Sequence, residues 1–141
     1  MKSTEELVNE IKASTNVDAF VNKNKDNFVE LSLSQYLQSM LEAHNTDKST
    51  VLANADMKSN NYGYEVFYSD KKSASRDKII QLAFGFPLTL NELQLALKHG
   101  KASPLYARNR RDSLIMFALH NKYTIGATNE LLESKGEKLL Y

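Results

Sequence analysis

The sequence contains no cysteine, which excludes a disulfide framework, a thiolate nucleophile, a zinc-cysteine site and an iron-sulfur cluster. It also has no apolar run approaching the roughly 18 residues that a membrane-spanning helix needs. The opening string MKSTEELVNEIK carries acidic side chains where a signal peptide needs a basic flank and an apolar core. We therefore expect a cytoplasmic protein, without membrane association, that is stabilised by packing.

Catalytic signatures are also missing. The chain has no phosphate-binding glycine loop, no Gly-x-Ser-x-Gly elbow and no His-Glu-x-x-His motif. His44, His99 and His120 are far apart and lack partners at metal-ligand spacing, so we interpret them as structural. The sequence thus predicts no enzyme activity, no metal site and no cofactor.

The charges are distributed unevenly, although their formal sum is only +1. Up to Met57, nine acidic residues outnumber five lysines, whereas from Lys58 to Arg111 ten basic residues face four acidic ones. A basic surface of this kind attracts a phosphate backbone, and a solvated charged face is the commoner explanation of the same pattern. Both interpretations stay open on charge alone.

Local signals predict an all-α protein at 141 residues, with no strand series. Capping boxes begin helices at Ser3, Ser32 and Thr89, and Asp47 and Ser75 are further helix starts. The Asp47 helix is short and ends near Ala55, in a tight turn around Asp56 and Met57. Ser59 or Asn60 then starts another short helix that runs to about Phe67.

Towards the end of the chain, the pattern predicts one helix through Arg111 to Leu119 and another from about Thr124 to Lys135. Gly100 is expected to end the preceding helix, and Gly136 to take a left-handed conformation. The polar run at residues 22–27 is the candidate for a loop between an N-terminal appendage and the main bundle.

Two short helices joined by a tight turn, within five helices between residues 32 and 100, have the layout of a helix-turn-helix domain. The strings that carry a closer resemblance are Lys48-Ser49 with Val51, the stretch YGYEVF at residues 62–67, KKSASRDK at 71–78 and SPLYARNRRDSLIMFAL at 103–119. On these strings the chain resembles the lambda-repressor-like (XRE-type) family of small bacterial proteins. The resemblance implies an N-terminal helical appendage (1–30), a five-helix DNA-binding domain (31–100) and a two-helix extension on the same core (101–141).

The resemblance further implies a transcriptional regulator that binds duplex DNA with the helix after Asp56 in the major groove. The implied base-contacting candidates are Ser59, Asn60, Asn61, Tyr62 and Tyr64, with Glu65 beside them. The implied phosphate-contacting candidates are Lys48, Ser49, Thr50, Lys71, Lys72, Ser75, Arg76 and Lys78. The alternative for both sets is a polar, solvated helix surface. Asp56 stands where the family usually has glycine.

Arg108, Arg111 and Asp112 belong to the densest charge cluster, which we expect to hold the extension on the bundle rather than to bind phosphate. The last two helices are more apolar than one buried stripe requires, because residues 114–117 are apolar all round. We therefore expect contact with the appendage or with another chain, as in a homodimer. The principal rival function is a degenerate helix-turn-helix module that binds a protein partner instead of DNA.

Overall fold

A computed structural model of the chain describes residues 2–28, 31–57, 65–67 and 74–141. All regular structure among these residues is helical, which confirms the all-α prediction for this part of the chain. The elements are α1 (Thr4–Ala13), α2 (Val17–Asn24), a 3₁₀ turn (Lys25–Asn27), α3 (Leu33–Ala43), α4 (Lys48–Asn54), α5 (Arg76–Gly85), α6 (Leu90–His99), α7 (Arg110–His120) and α8 (Ile125–Ser134). In the described ranges, none of these helices has the length and apolar character to cross a bilayer. The chain divides into two compact units, Met1–Glu30 and Leu31–Tyr141.

Helix starts follow the predicted caps. The capping boxes at Ser32 and Thr89 are complete. In each box the cap hydroxyl accepts from the backbone amide three residues later, and the side chain of that later residue, Gln35 or Glu92, accepts from the backbone amide of the cap residue. Ser3 makes its half of the box by accepting from the Glu6 amide at 3.1 Å. Local hydrogen bonding therefore fixes where these helices begin.

Five of the eight described α-helices, α3, α4, α6, α7 and α8, are followed by a left-handed residue, and among these five residues only Gly136 (φ 71°) is a glycine. Asn45, Asp56, Lys101 and Lys122 take the same conformation, with φ between 50° and 59°. In each case the amide after the left-handed residue bonds back to the helix, as from Tyr123 N to Ala118 O at 2.9 Å. The left-handed conformation predicted for Gly136 is confirmed.

Gly100 is the C-cap of α6, as predicted, but it has φ −82°, and the left-handed position falls on Lys101. A Cβ at residue 100 would lie 2.5 Å from Ile79 Cδ1, so this glycine serves close packing and not backbone freedom.

The unit Leu31–Tyr141 contains one hydrophobic core centred on α5, in which every residue from Ile79 to Gly85 is buried. The backbones of α4 and α5 come so close at Gly85 that a Cβ there would lie 2.2 Å from the Val51 carbonyl oxygen. Helices α7 and α8 join the same core through Ile115, Ala118, Leu119, Ile125 and Leu132. Phe117 is an exception to the expectation of an all-round buried helix, because it is 54% exposed and meets the Tyr123 ring edge-on.

The unit Met1–Glu30 is held by polar contacts. Asn24 is fully buried, donates to Glu10 at 2.6 Å and accepts from Lys2 at 2.7 Å. The Lys2 hydrogen bond, followed by that of Asn24, lowers the pKa of Glu10 to about 2. The prediction of a loop at residues 22–27 is wrong, because this run completes α2 and a 3₁₀ turn through the Asn24 contacts.

Candidate nucleic-acid interface and the arginine-aspartate junction

Helix α4 and its following turn form the described half of the predicted helix-turn-helix. Asp47 Oδ1 accepts from the Thr50 amide at 2.8 Å. This backbone hydrogen bond is the main cause that holds the pKa of Asp47 below its ordinary value. Val51 and Leu52 are fully buried, whereas Ser49 and Thr50 are exposed. The helix therefore presents hydroxyl side chains and its amino-terminal end to solvent while its apolar side faces the core.

The turn after α4 is tight, as predicted. Asp56 is exposed with φ 59°, and the Met57 amide returns to Leu52 O at 2.7 Å. Asp56 therefore occupies the left-handed position for which glycine is usual, at the steric cost of its Cβ.

The predicted reading helix lies mostly outside the described residues. The base-contacting candidates Ser59, Asn60, Asn61, Tyr62 and Tyr64 all lie outside the described residues. The basic residues Lys58, Lys71 and Lys72, which flank the predicted helix, lie outside them too. The predicted end of the helix is described, since residues 65–67 are helical and both Val66 and Phe67 are buried. The Phe67 carbonyl accepts from Ser34 Oγ at 2.6 Å and from Gln38 Nε2 at 2.8 Å. This end is thereby fastened to α3.

Among the phosphate candidates, Lys78 lies close to the α4 turn. Its Nζ donates to Gln81 Oε1 at 3.3 Å, and Gln81 Nε2 donates to the Ala55 carbonyl at 2.7 Å. Ser75 caps α5 by accepting from the Lys78 amide at 3.3 Å. Hydrogen bonds thus connect the side of α5 that carries Lys78 with the end of α4.

Arg76 is bonded within the protein. Its guanidinium donates to both carboxylate oxygens of Asp112, at 3.0 and 2.8 Å, and to the carbonyls of Ser103 and Pro104, both at 2.9 Å. The Asp112 hydrogen bonds raise the pKa of Arg76 above its ordinary value. Its predicted contact with DNA phosphate would require these bonds to be shared or broken.

A second pair mirrors the first. Arg111 donates to Asp77 at 3.0 and 3.2 Å. An Arg-Asp dipeptide therefore lies near the start of both α5 and α7, and the arginine of each dipeptide pairs with the aspartate of the other. Asp112 is 5% exposed; burial opposes its ionisation, but hydrogen bonds from Arg76 and the Tyr106 amide prevail and lower its pKa. We call Arg76, Asp77, Arg111 and Asp112 the Arg-Asp junction. Arg108, the third member of the predicted cluster, is exposed.

Leu105 and Asn109, from the same part of the sequence, also make contacts that hold the fold together. Gln94 makes a two-point bond with Leu105, accepting from its amide at 2.8 Å and donating to its carbonyl at 3.0 Å. Asn109 caps α7 by accepting from the Asp112 amide at 3.0 Å. Sequence reasoning missed the Gln94 contact, which has no local signal. Asn109, three residues before an aspartate, carried a recognisable cap signal.

The two inward-facing histidines have structural partners. His44 Nε2 lies 2.9 Å from Glu92 Oε1, and the His44 ring meets Phe86 edge-on. His99 Nδ1 lies 3.0 Å from the Leu31 carbonyl, and its ring stacks against Tyr36. Within the described ranges, no group of three or more His, Asp or Glu side chains could hold a metal ion.

The chain matches no protein-family model, no curated protein and no solved structure. Functional interpretation therefore rests on the residues and contacts described above.

Proposed function

We propose that this protein is a DNA-binding transcriptional regulator of the helix-turn-helix class with a lambda-repressor-like domain. The domain would comprise α3, α4, a third helix that includes residues 65–67, α5 and α6. The observation that carries the proposal is the short helix α4, buried along Val51 and Leu52 and closed by a left-handed Asp56, with hydroxyl side chains on its outer face. An HTH fold needs such a helix to cross the phosphate backbone.

In this mechanism the amino-terminal end of α4 contacts phosphate through Lys48, Ser49 and Thr50, and Lys78 adds a cation near the turn. The third helix enters the major groove, where Asn60 and Asn61 supply the donor and acceptor pair that suits adenine. Phosphate contacts set affinity and position, and the base contacts set sequence preference. Arg76 contributes to the domain's shape through the Arg-Asp junction.

A matched pair of variants tests the role of α4. Ser49→Glu and Asn91→Glu each add one negative charge at the second residue of an exposed helix start, in α4 and α6 respectively. Ser49→Glu is expected to weaken binding to duplex DNA by roughly tenfold or more at low salt, because the carboxylate faces phosphate. Asn91→Glu should leave the affinity unchanged. Equal effects of both variants would contradict the proposed orientation.

Base reading has its own test. Asn61→Ala is expected to change the preferred sequence in a selection from random duplexes more than it changes overall affinity, while Lys78→Ala should lower affinity for all sequences. Lys78→Ala should also flatten the salt slope by about 0.9. An Asn61→Ala protein with unchanged preference would limit Asn61 to positioning the helix.

The protein-interaction alternative is favoured by two observations. Arg76 makes four hydrogen bonds inside the protein, and Phe117 is 54% exposed on α7. The two functions differ in assembly, because a specific operator is normally bound by a two-fold dimer with reading helices about 34 Å apart. Light scattering on operator-length DNA should find a dimer if the regulator proposal holds, and a strict monomer would favour the alternative.

A further inference from the structure

The loop between α6 and α7 is held in place along its middle part. Residues 103–107 form no helix, yet each of the five has a backbone group bonded to a side chain. The side chains that make these bonds belong to three helices and are Arg76 of α5, Gln94 of α6, and Asp112 and Ser113 of α7. A loop fastened at every residue loses little freedom when a ligand binds to it, so its contact groups are pre-organised.

This loop presents an aromatic ring to solvent. Tyr106 is 57% exposed, although its amide donates to Asp112 Oδ2 at 3.0 Å and its carbonyl accepts from the Asn109 amide at 2.9 Å. The fold therefore fixes the backbone of Tyr106 from both sides without burying its side chain. An exposed ring on a fixed backbone offers a large contact area at low entropic cost.

Tyr106 lines an open cleft with a volume of about 750 Å³, which also borders the start of α7. This volume is in the range of small-molecule binding sites. The charged side chains in the lining are Arg76, Arg110, Arg111, Asp112 and Glu137. The cleft therefore combines charged groups with an exposed aromatic ring.

Arg110 is the arginine of this lining that can take an external partner. Arg76 and Arg111 are bonded to the carboxylates of the Arg-Asp junction, and their side chains are 25% and 16% exposed. The Arg110 side chain is 64% exposed, and its Nη1 donates to the Lys135 carbonyl at 2.7 Å and to Glu137 Oε1 at 3.0 Å. In the described part of the chain, its Nε and Nη2 have no hydrogen-bond partner. These two nitrogens form an edge of the guanidinium that can bind a carboxylate or phosphate through two parallel hydrogen bonds.

We propose that this cleft binds a small organic anion, with its carboxylate or phosphate on the Nε and Nη2 edge of Arg110 and a planar ring against Tyr106. The ligand completes the hydrogen bonding of Arg110, and the fixed loop supplies the stacking surface without rearrangement. Glu137 is a competitor for the same guanidinium, because its carboxylate already accepts from Nη1. Neither Arg110 nor Tyr106 has a role in the proposed DNA contact, so each proposal can fail without the other.

Simple probes test the site in the full-length protein. Phenyl phosphate and benzoate each carry a ring and one oxyanion, whereas inorganic phosphate and acetate carry the oxyanion alone. In a titration followed by nuclear magnetic resonance, at least one ring-bearing probe is expected to shift the amide signals of residues 103–112 to saturation. Its affinity should exceed that of the matching ring-free anion by about fivefold, because its ring stacks on Tyr106. Equal affinities of ring-bearing and ring-free anions, or no saturation with either ring-bearing probe, would overturn the proposal.

A matched pair of arginine variants tests the oxyanion contact. Arg110→Gln is expected to weaken binding of the ring-bearing probe by about tenfold, since charge-assisted hydrogen bonds are lost. Arg108→Gln removes the same charge from an exposed arginine that does not line the cleft, and should change the affinity by less than about twofold. Equal effects of both variants would show that only overall charge matters, and would overturn the proposal.

Further substitutions keep the test decisive if Arg110→Gln loosens the fold. Tyr106→Ala removes an exposed side chain and should abolish the preference for ring-bearing over ring-free anions. Glu137→Gln should strengthen binding because it removes the competing carboxylate, whereas Glu133→Gln removes the same charge from an exposed position of α8 and should strengthen it less. A Tyr106→Ala protein with full ring preference, or equal effects of the two glutamate variants, would overturn the assignment of this site.

Discussion

At the scale of single residues, Asp112 is the one carboxylate that is buried among the described residues. An isolated charge in a protein interior is strongly unfavourable, so its retention depends on the partners it finds. The Asp112 carboxylate accepts hydrogen bonds from the Arg76 guanidinium and from the Tyr106 amide, the latter at 3.0 Å. Loss of the negative charge would leave Arg76 without its main partner.

We therefore expect Asp112→Asn to lower the free energy of unfolding by about 2–3 kcal/mol, measured by urea denaturation at pH 7. The pH dependence provides the control. The folded-state pKa of Asp112 is below its unfolded value of about 3.9, so its contribution is complete above that value and is lost as the pH falls through the folded pKa. The difference between wild type and Asp112→Asn should thus shrink below about pH 4. A difference that stays constant down to pH 2.5 would show that the carboxylate charge is not responsible.

Lys122 illustrates a different residue-scale cost. It has φ 59° after α7, a conformation in which a Cβ is unfavourable by roughly 1 kcal/mol and glycine is not. Lys122→Gly is expected to stabilise the protein by about 0.5–1 kcal/mol in thermal denaturation. Lys135→Gly is the matched control, since Lys135 caps α8 with φ −100° and should give no gain. Stabilisation by both variants would point to removal of a lysine charge instead.

At the scale of elements, the sequence predicts helix starts better than helix contacts. The caps at Ser32, Thr89 and Ser75 could be predicted because each hydrogen bond joins residues three apart. Left-handed ends at Lys101 and Lys122 could not, because a lysine takes that conformation only where the following chain is held in place. The sequence predicts a structural role for Arg111 and Asp112 but assigns Arg76 to phosphate, because the partners in the Arg-Asp junction are 34 and 36 residues apart.

The contact between α4 and α5 depends on Gly85, which no local pattern distinguishes from a helix-ending glycine. Gly85→Ala would place a Cβ against the Val51 carbonyl, so we expect a loss of about 2–3 kcal/mol despite the better helix propensity of alanine. Gly126→Ala is the matched control at an exposed position of α8, where the nearest atom would be 3.9 Å away. It should be neutral or stabilising by up to about 1 kcal/mol. Comparable losses in both variants would contradict the close approach.

At the scale of the whole molecule, the two compact units differ in what stabilises them. The buried hydrophobic residues in the described ranges all lie in Leu31–Tyr141. In Met1–Glu30 the helices α1 and α2 bury only Asn24, and the side chains left exposed there include Val8, Ile11, Val17, Val21 and Phe28. Short helices without apolar burial are marginal in water.

A peptide of residues 1–30 is therefore expected to be largely unfolded by circular dichroism, whereas residues 31–141 should keep a cooperative thermal transition. The reason is that the smaller unit depends on polar contacts around Asn24, while the larger one has a continuous core. A strongly helical 1–30 peptide, or loss of cooperativity in 31–141, would contradict this division of stability.

We propose that this protein binds duplex DNA through phosphate contacts of its proposed helix-turn-helix. The most direct test is a salt series with the full-length protein and a random-sequence duplex of about 30 base pairs, since counterion release makes log K fall linearly with log salt at about 0.9 per phosphate contact. With Lys48 and Lys78 each neutralising one phosphate, the predicted slope is about −1.8 or steeper. Absence of binding at 50 mM salt, or binding with a slope near zero, would contradict the claim.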